Sequence, residues 1–304
     1  MDLTTLFDQD LVASVLRSLI PILLAALGGM ICERAGIFNI GLEGILLVGA
    51  FAAVAGSYFA TSWIAGILIG MLAGVVFSLL LGYGAVYRKA DPIVLAIAMN
   101  ILAIGVTSFL LLALFGAQGV FRDPGIVGLP VWKVPFLSDI PWLGLLFQLT
   151  PLGYLALLLV PISWVVLFRT PFGMRLRGVG ERPLAAATLG VNPQRYQMGA
   201  VMLSGALAGL GGAQLALGNV VQFTENMTAG RGWIAVVAVM LARAHPVGVL
   251  GAALLFGFTD AIGFRMQGFG LPQQLTDAAP YVVTLVVLLL VSKRFRRTSE
   301  AQVA

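Results

Sequence analysis

Apolar residues in this chain come in long unbroken runs, with polar residues gathered in the gaps. That pattern matches neither the stripe of a surface helix nor the alternation of a half-buried strand. Residues 92–116, PIVLAIAMNILAIGVTSFLLLALFG, contain no charged side chain. A bilayer span needs about 20 such residues, or somewhat fewer where a broken helix is shielded by protein. Nine runs qualify, at approximately 11–31, 43–60, 63–87, 92–116, 144–168, 199–219, 232–242, 246–263 and 279–292. The expected fold is an all-α polytopic membrane protein of about nine (8–10) transmembrane helices, some broken or irregular, in a single transmembrane domain over 1–304. Pro246 and the polar stretch Arg243 to His245 interrupt what would otherwise be one run, and predict a tight turn between two shortish helices. Glu33 to Glu43 is the other irregular place, and Glu33 and Arg34 are near enough to be able to pair with each other at the surface.

The third run carries small residues at every fourth position: Ser62, Gly66, Gly70, Gly74, Ser78 and Gly82. Such spacing lets helix backbones approach closely in lipid, and the row drifts round the helix so that it serves more than one neighbour. Gly205, Gly209 and Gly212 in the sixth run predict the same tight packing.

Composition agrees with the runs. Of 304 residues, 60% are hydrophobic and 10% charged, against about 45–50% and about 25% in soluble domains. The formal net charge of +5 would suggest nucleic acid in a soluble chain. Here the basic residues sit between the runs and set orientation instead, so no nucleic-acid partner is expected. Thirteen Lys and Arg fall on one side of the nine-run arrangement; Arg122, Lys133, Arg231 and Arg265 fall on the other, and Arg17 lies within the first run. The richer side is cytoplasmic, which puts the C-terminus inside and the N-terminus outside. The acidic start MDLTTLFDQD does not resemble a cleavable leader, so the first run is expected to stay as a span. One cysteine, Cys32, and one histidine, His245, make metal and redox chemistry poor candidates.

The most informative gap is the loop 169–198, RTPFGMRLRGVGERPLAAATLGVNPQRYQM, with five arginines. Pro183 suits the first turn of a helix and Gly190 the position past its end, so Pro183 to Leu189 should form about two turns. Two turns are not stable alone in water. The helix must lie on a surface, its own domain or a partner.

This segment resembles the coupling loop of bacterial ABC importer permeases. ERAGIFNIGLEGILLVGAF (33–51) and ENMTAGRGWIAVVAVMLARAHPVGVLGAALLFGF (225–258) resemble signatures of the branched-chain amino acid and simple-sugar permease superfamily, and Asn39-Ile-Gly-Leu-Glu43-Gly is most similar to its nucleoside-importer branch. The resemblance implies a bacterial inner-membrane permease subunit that imports nucleosides. It implies ATPase coupling through Gly178, Glu181, Pro183, Ala185, Ala186, Gly190 and Val191. It also implies three protein partners: an ABC ATPase, a second permease subunit that is a related but different chain, and an extracytoplasmic substrate-binding protein. A ribose or galactose type sugar permease is the alternative substrate reading, and an ion-coupled secondary transporter a more distant one. The only lysines, Lys89, Lys133 and Lys293, stand outside any G-x-x-x-x-G-K-[ST] phosphate loop. No enzymatic role and no cofactor are therefore expected on this chain, with ATP and Mg on the partner ATPase.

Polar groups within the runs are candidates for the translocation path. Glu43 requires a wet cavity or a partner, because a charge at membrane depth costs about 2.5 kcal/mol or more; it either lines the path or bonds to nearby backbone. Asn39, four residues earlier, projects to the same side if the helix already begins there. Asn100, Gln214 and Asn219 can read a sugar hydroxyl or a base edge, or can bond across helices. Phe38, Phe223 and Trp233 flank irregular segments and either stack on a base or anchor at the interface. The loop 117–143, with Pro124, Pro130, Pro135 and Pro141, and the segment 222–231 are the expected external docking surface.

Overall fold

The computed structural model describes residues 9–133, 144–267 and 282–283. Ten α-helices follow in order: α1 Gln9–Arg34, α2 Leu42–Ala60, α3 Trp63–Gly82, α4 Pro92–Phe115, α5 Pro151–Arg169, α6 Pro171–Glu181, α7 Pro183–Thr188, α8 Pro193–Ala213, α9 Arg231–Leu241 and α10 Pro246–Gln267. Helices α3 and α8 each continue into a π-helical stretch, Tyr83–Tyr87 and Gln214–Val220. Four two-residue strands make two antiparallel pairs: β1 Val120–Phe121 with β4 Phe223–Thr224, and β2 Trp132–Lys133 with β3 Gln148–Leu149.

Four helices start on one device, a capping side chain followed by proline. Asp91 Oδ1 accepts from the Ile93 and Val94 N–H groups at 2.7 and 3.2 Å, ahead of Pro92. Thr150, Thr170 and Asn192 cap α5, α6 and α8 in the same manner through Gly153, Gly173 and Arg195, each at 3.2 Å. Proline lacks the N–H that would be orphaned at that position, and its φ is already helical.

Among the described residues, seven helices are long and apolar enough to cross a membrane: those within Asp10–Arg34, Leu42–Ala60, Trp63–Tyr87, Pro92–Phe115, Pro151–Arg169, Pro193–Val220 and Pro246–Met266. Two boundaries differ from expectation, and a third helix falls where expected but is short. The fifth helix starts at Pro151, not near 144, because Gly144–Phe147 is a 3-10 turn leading into β3 and Thr150 supplies the cap. The sixth begins at Pro193, since the Asn192 cap carries a polar first turn that hydropathy passed over. The seventh, α9, has only 11 residues, about 16 Å at 1.5 Å per residue, and is too short to span. The expected run at 279–292 lies outside the described residues, apart from helical 282–283.

The chain divides into two compact units, one comprising residues up to Leu19 together with those from Leu254, the other running from Ile20 to Ala253. In the first, Gly257 of α10 sits against the start of α1, where an added Cβ would lie 3.1 Å from the Val15 carbonyl oxygen and the Leu19 nitrogen. In the second, α2, α3 and α8 form the packed centre. Every buried residue of α3 except Leu81 belongs to the four-residue row of small side chains. A Cβ on Gly70 would meet the Gly49 carbonyl oxygen of α2 at 2.9 Å, whereas one on Gly74 would run into the Gly205 carbonyl of α8. The row therefore serves both neighbours, as its drift predicts. The other faces of α3 and α4 present Leu68, Leu72, Val76, Ile97 and Ile101 outward, as helices facing lipid do.

Candidate functional site

Two regions of the second unit depart from plain apolar helix. The first surrounds the link between α1 and α2. Asn39 is buried, donates from Nδ2 to Ser204 Oγ of α8 at 3.0 Å, and accepts the Gly41 N–H on Oδ1 at 3.0 Å. Asn100 Oδ1 accepts the Gly44 N–H at 2.9 Å while its Nδ2 donates to the Ile40 carbonyl at 3.2 Å. Both side chains thus satisfy backbone that leaves helical geometry inside an apolar bundle.

Glu43 performs a longer-range version of the same task. Its Oε1 accepts from Thr228 Oγ1 at 2.6 Å and from the Gly230 N–H at 2.9 Å; its Oε2 accepts the Gly232 N–H at 2.6 Å. These donors stand at the N-terminus of α9, where orphan N–H groups and the positive end of the helix dipole favour a carboxylate. Gly232 must lack a side chain, because a Cβ there would coincide with Glu43 backbone atoms. The acid that looked costly in the sequence is therefore held by three donors. Thr228, Gly230 and Gly232 were not picked out by sequence reasoning; the signal was present, since an acid in an apolar run demands donors and two glycines flank Arg231 in the matching segment.

Of the other path candidates, Gln214 and Asn219 bond elsewhere, while Phe38 lies beside Asn39. Gln214 accepts from Thr150 Oγ1 at 2.7 Å and donates to Asn219 Oδ1 at 3.2 Å, within the π-helical turn after α8. Phe38 borders a narrow crevice with Gly29, Asn39 and Val236. Trp233 on α9 is exposed. Phe223 cannot stack on a ligand, since it is fully buried with its ring edge-on to Phe51 at 5.2 Å. The segments 117–129 and 222–231 are joined. Beyond the β1–β4 pair, the Glu225 N–H reaches the Gly119 carbonyl at 2.8 Å, and Ser57 Oγ at the end of α2 holds both the carbonyl and N–H of Val127, at 2.7 and 2.9 Å.

The second region is α6, α7 and what they touch. Helix α6 was not anticipated; it buries Gly173, Leu176 and Val179 on one face, and the Thr170-Pro171 pair was its sequence signal. Glu181 closes α6 and is exposed, and Gly178 within it faces open space. Pro183 opens α7 as expected, though the helix ends at Thr188, one residue short of Leu189. Gly190 follows at φ +80, a left-handed value that suits glycine. Within α7 only Ala186 is buried, while Pro183, Ala185 and Gly190 are exposed and Val191 is partly so. Leu184 and Leu189 are 84% and 83% exposed. A cavity of about 700 Å³ separates this strip from Ala85, Val86 and Lys89 below α3.

Behind α6 is a charged node. Arg34 interacts electrostatically with the adjacent Glu33, while its Nε donates to the Ala244 carbonyl at 2.8 Å and its Nη2 to the Arg243 carbonyl at 3.1 Å, tying the end of α1 to the α9–α10 turn. That turn is where the sequence predicts it, with Arg243 and Ala244 at φ 51 and 49.

The chain matches the model of the branched-chain amino acid transport system permease component over residues 11–292. It belongs to that family. It is 39% identical over 283 residues to the guanosine ABC transporter permease protein NupQ of Bacillus subtilis, covering 88% of this chain and 87% of that protein. The nucleoside ABC transporter permease protein NupC of Lactococcus lactis is 39% identical over 295 residues, 93% of this chain and 92% of its own. The glucose ABC transporter permease protein TsgB13 of Haloferax volcanii is 29% identical over 315 residues, 97% and 80% of the two chains. A solved structure described as an inward-facing conformation of a metal-chelate type ABC transporter shares the fold, with a TM-score of 0.50 at 17% identity over 91% of this chain and 85% of that one. The family permease is thus a multi-pass membrane protein of the ABC transporter class.

Proposed function

We propose that this chain is the permease subunit of an ATP-driven nucleoside importer, and that α7 with the end of α6 seats a separate ATPase. One observation carries the coupling reading: a six-residue helix that cannot stand alone in water leaves Leu184 within it and Leu189 just after it 84% and 83% exposed. Apolar side chains on so short a helix favour a groove on another protein as their resting place. Gly178, Glu181, Pro183, Ala185, Ala186, Gly190 and Val191 shape that contact. The nucleoside reading draws on the permeases NupQ and NupC, each 39% identical over nearly the whole chain.

In this reading α6 and α7 face the cytoplasm, the C-terminus lies inside and the N-terminus outside. A second permease, a related different chain, completes the path, lined in part by Phe38 and Trp233 and shaped by Asn39, Glu43, Asn100, Gln214 and Asn219. A binding protein docks on the external loop 117–143, of which 134–143 lie outside the described residues, and on the segment 222–231 joined to its first part. ATP and Mg act on the ATPase, and no covalent chemistry occurs on this chain.

The test is uptake in proteoliposomes holding both permeases and the ATPase, with binding protein outside and ATP inside. Guanosine or adenosine should accumulate and free ribose or glucose should not; accumulation of the sugar alone would favour the sugar-permease reading suggested by TsgB13. Replacing Glu181, or adding bulk at Ala186, should abolish ATP-dependent uptake while the binding protein still captures its nucleoside. Normal uptake in those variants would refute the coupling assignment.

A further inference from the structure

We propose that Glu33 of α1 and Arg177 of α6 form an ion pair that closes only when the ATPase drives α6 inward, so that the pair acts as a latch between the coupling segment and the bundle. The inference rests on the coupling reading above. Both residues line a cavity of about 380 Å³, together with Arg34, Gly180, Glu181 and Arg243. Glu33 Oε2 and Arg177 Nε are both buried, and neither has a hydrogen-bond partner among the described residues. A buried acceptor and a buried donor left unmade are each unfavourable, and they are chemically complementary. Closing the cavity would join them in a charge-assisted hydrogen bond. The gap is therefore an element with two arrangements, open and unpaired or closed and paired.

The surroundings provide a pivot, a track and an output. The pivot is the backbone contact of Gly180 with the α1–α2 link: a Cβ on Gly180 would lie 3.0 Å from the Gly36 nitrogen and run into the Arg34 carbonyl. Arg177 lies three residues before that contact, about one helical turn, so rocking of α6 about Gly180 moves Arg177 relative to Glu33. The track is the Phe168 ring, with the Arg177 guanidinium 4.9 Å and that of Arg34 5.6 Å from its centroid. Two cations on one ring repel, and a carboxylate brought beside them relieves that repulsion. The output is Arg34, whose two hydrogen bonds to the 243–244 carbonyls carry movement of the α1 end into the α9–α10 turn. Glu33 and Arg177 are positioning residues in this account and touch no substrate.

The test uses the assembled transporter in proteoliposomes. Glu33→Gln and Arg177→Gln should each lower ATP-dependent uptake about tenfold, and the exchange Glu33→Arg with Arg177→Glu should recover it to within about threefold of wild type, as expected of directly coupled residues. The ATPase should co-purify with all of these variants. On a Cys32→Ala background, Glu33→Cys with Arg177→Cys should cross-link faster in the complex trapped with ATP and vanadate than without nucleotide. Single variants with wild-type uptake, an exchange no better than either single variant, or cross-linking indifferent to nucleotide would each overturn the latch while leaving the coupling reading intact. An ATPase that fails to co-purify even with the wild-type chain would overturn both.

Discussion

The start of α2 and the α6–α7 segment are both polar interruptions in an apolar chain, yet they are finished in opposite ways. Around α2, Asn39, Asn100 and Glu43 have partners on α8, on the α1–α2 link and at the head of α9. At α7, Leu184 and Leu189 have none of the cover that a leucine ordinarily finds. A polar group whose bonds are all made by its own chain specifies one arrangement and resists change. An apolar surface left bare invites a partner and can be moved by it. Rigidity and responsiveness thus occupy different parts of one unit.

The largest expected effect comes from breaking the satisfied side. Glu43→Ala would orphan the Thr228 hydroxyl and two glycine N–H groups, and should cost about 3–5 kcal/mol, read as a large drop in melting temperature of the purified protein. Asn100→Leu removes one acceptor and one donor around Gly44 and Ile40 and should cost less, about 1–3 kcal/mol by the same measurement. Thr150→Val should cost a similar amount, about 1–3 kcal/mol, because it removes both the cap on Gly153 of α5 and the donor to buried Gln214 Oε1. The bare side should behave in reverse. Leu184→Asp with Leu189→Asp should shift stability by no more than about 0.5 kcal/mol, yet ATP-dependent uptake and ATPase co-purification should both be lost. If the aspartates instead lowered the melting point as much as Glu43→Ala, the contrast between the regions would fail.

Much of the scaffold was readable in advance. The row from Gly66 to Gly82 names its own packing face because four-residue spacing is a local property, whereas the cap-proline pairs that start α5, α6 and α8 act just as locally but were passed over in favour of hydropathy. The unanticipated α6 carried the same Thr-Pro signal, masked by arginines that lowered its hydropathy. Helix α9 falls where the sequence places it but is a different case. Its 11 residues are apolar enough to resemble a span, and only the surrounding protein tells whether a short helix starts at depth.

The site was less legible. Glu43 could be flagged as needing a partner, but its donors lie 185 to 189 residues further along, and nothing local points to them. Arg34 stands beside Glu33 and interacts with it electrostatically, but nothing local pointed to its hydrogen bonds with two carbonyls more than 200 residues away, which free backbone in a strained turn made available. Phe223 could be read as a stacking platform or an interface anchor, and only its neighbours showed it to be enclosed.

By itself the chain determined that it must live in lipid, roughly where its apolar helices run, which faces of α3 and α8 pack, and that a two-turn helix starts at Pro183. Those are consequences of hydropathy, periodicity and capping, each readable within a few residues. Which donors meet each acid, and which leucines stay bare, depended on the tertiary structure, because hydrogen bonding and burial are properties of pairs brought together from distant parts of the sequence.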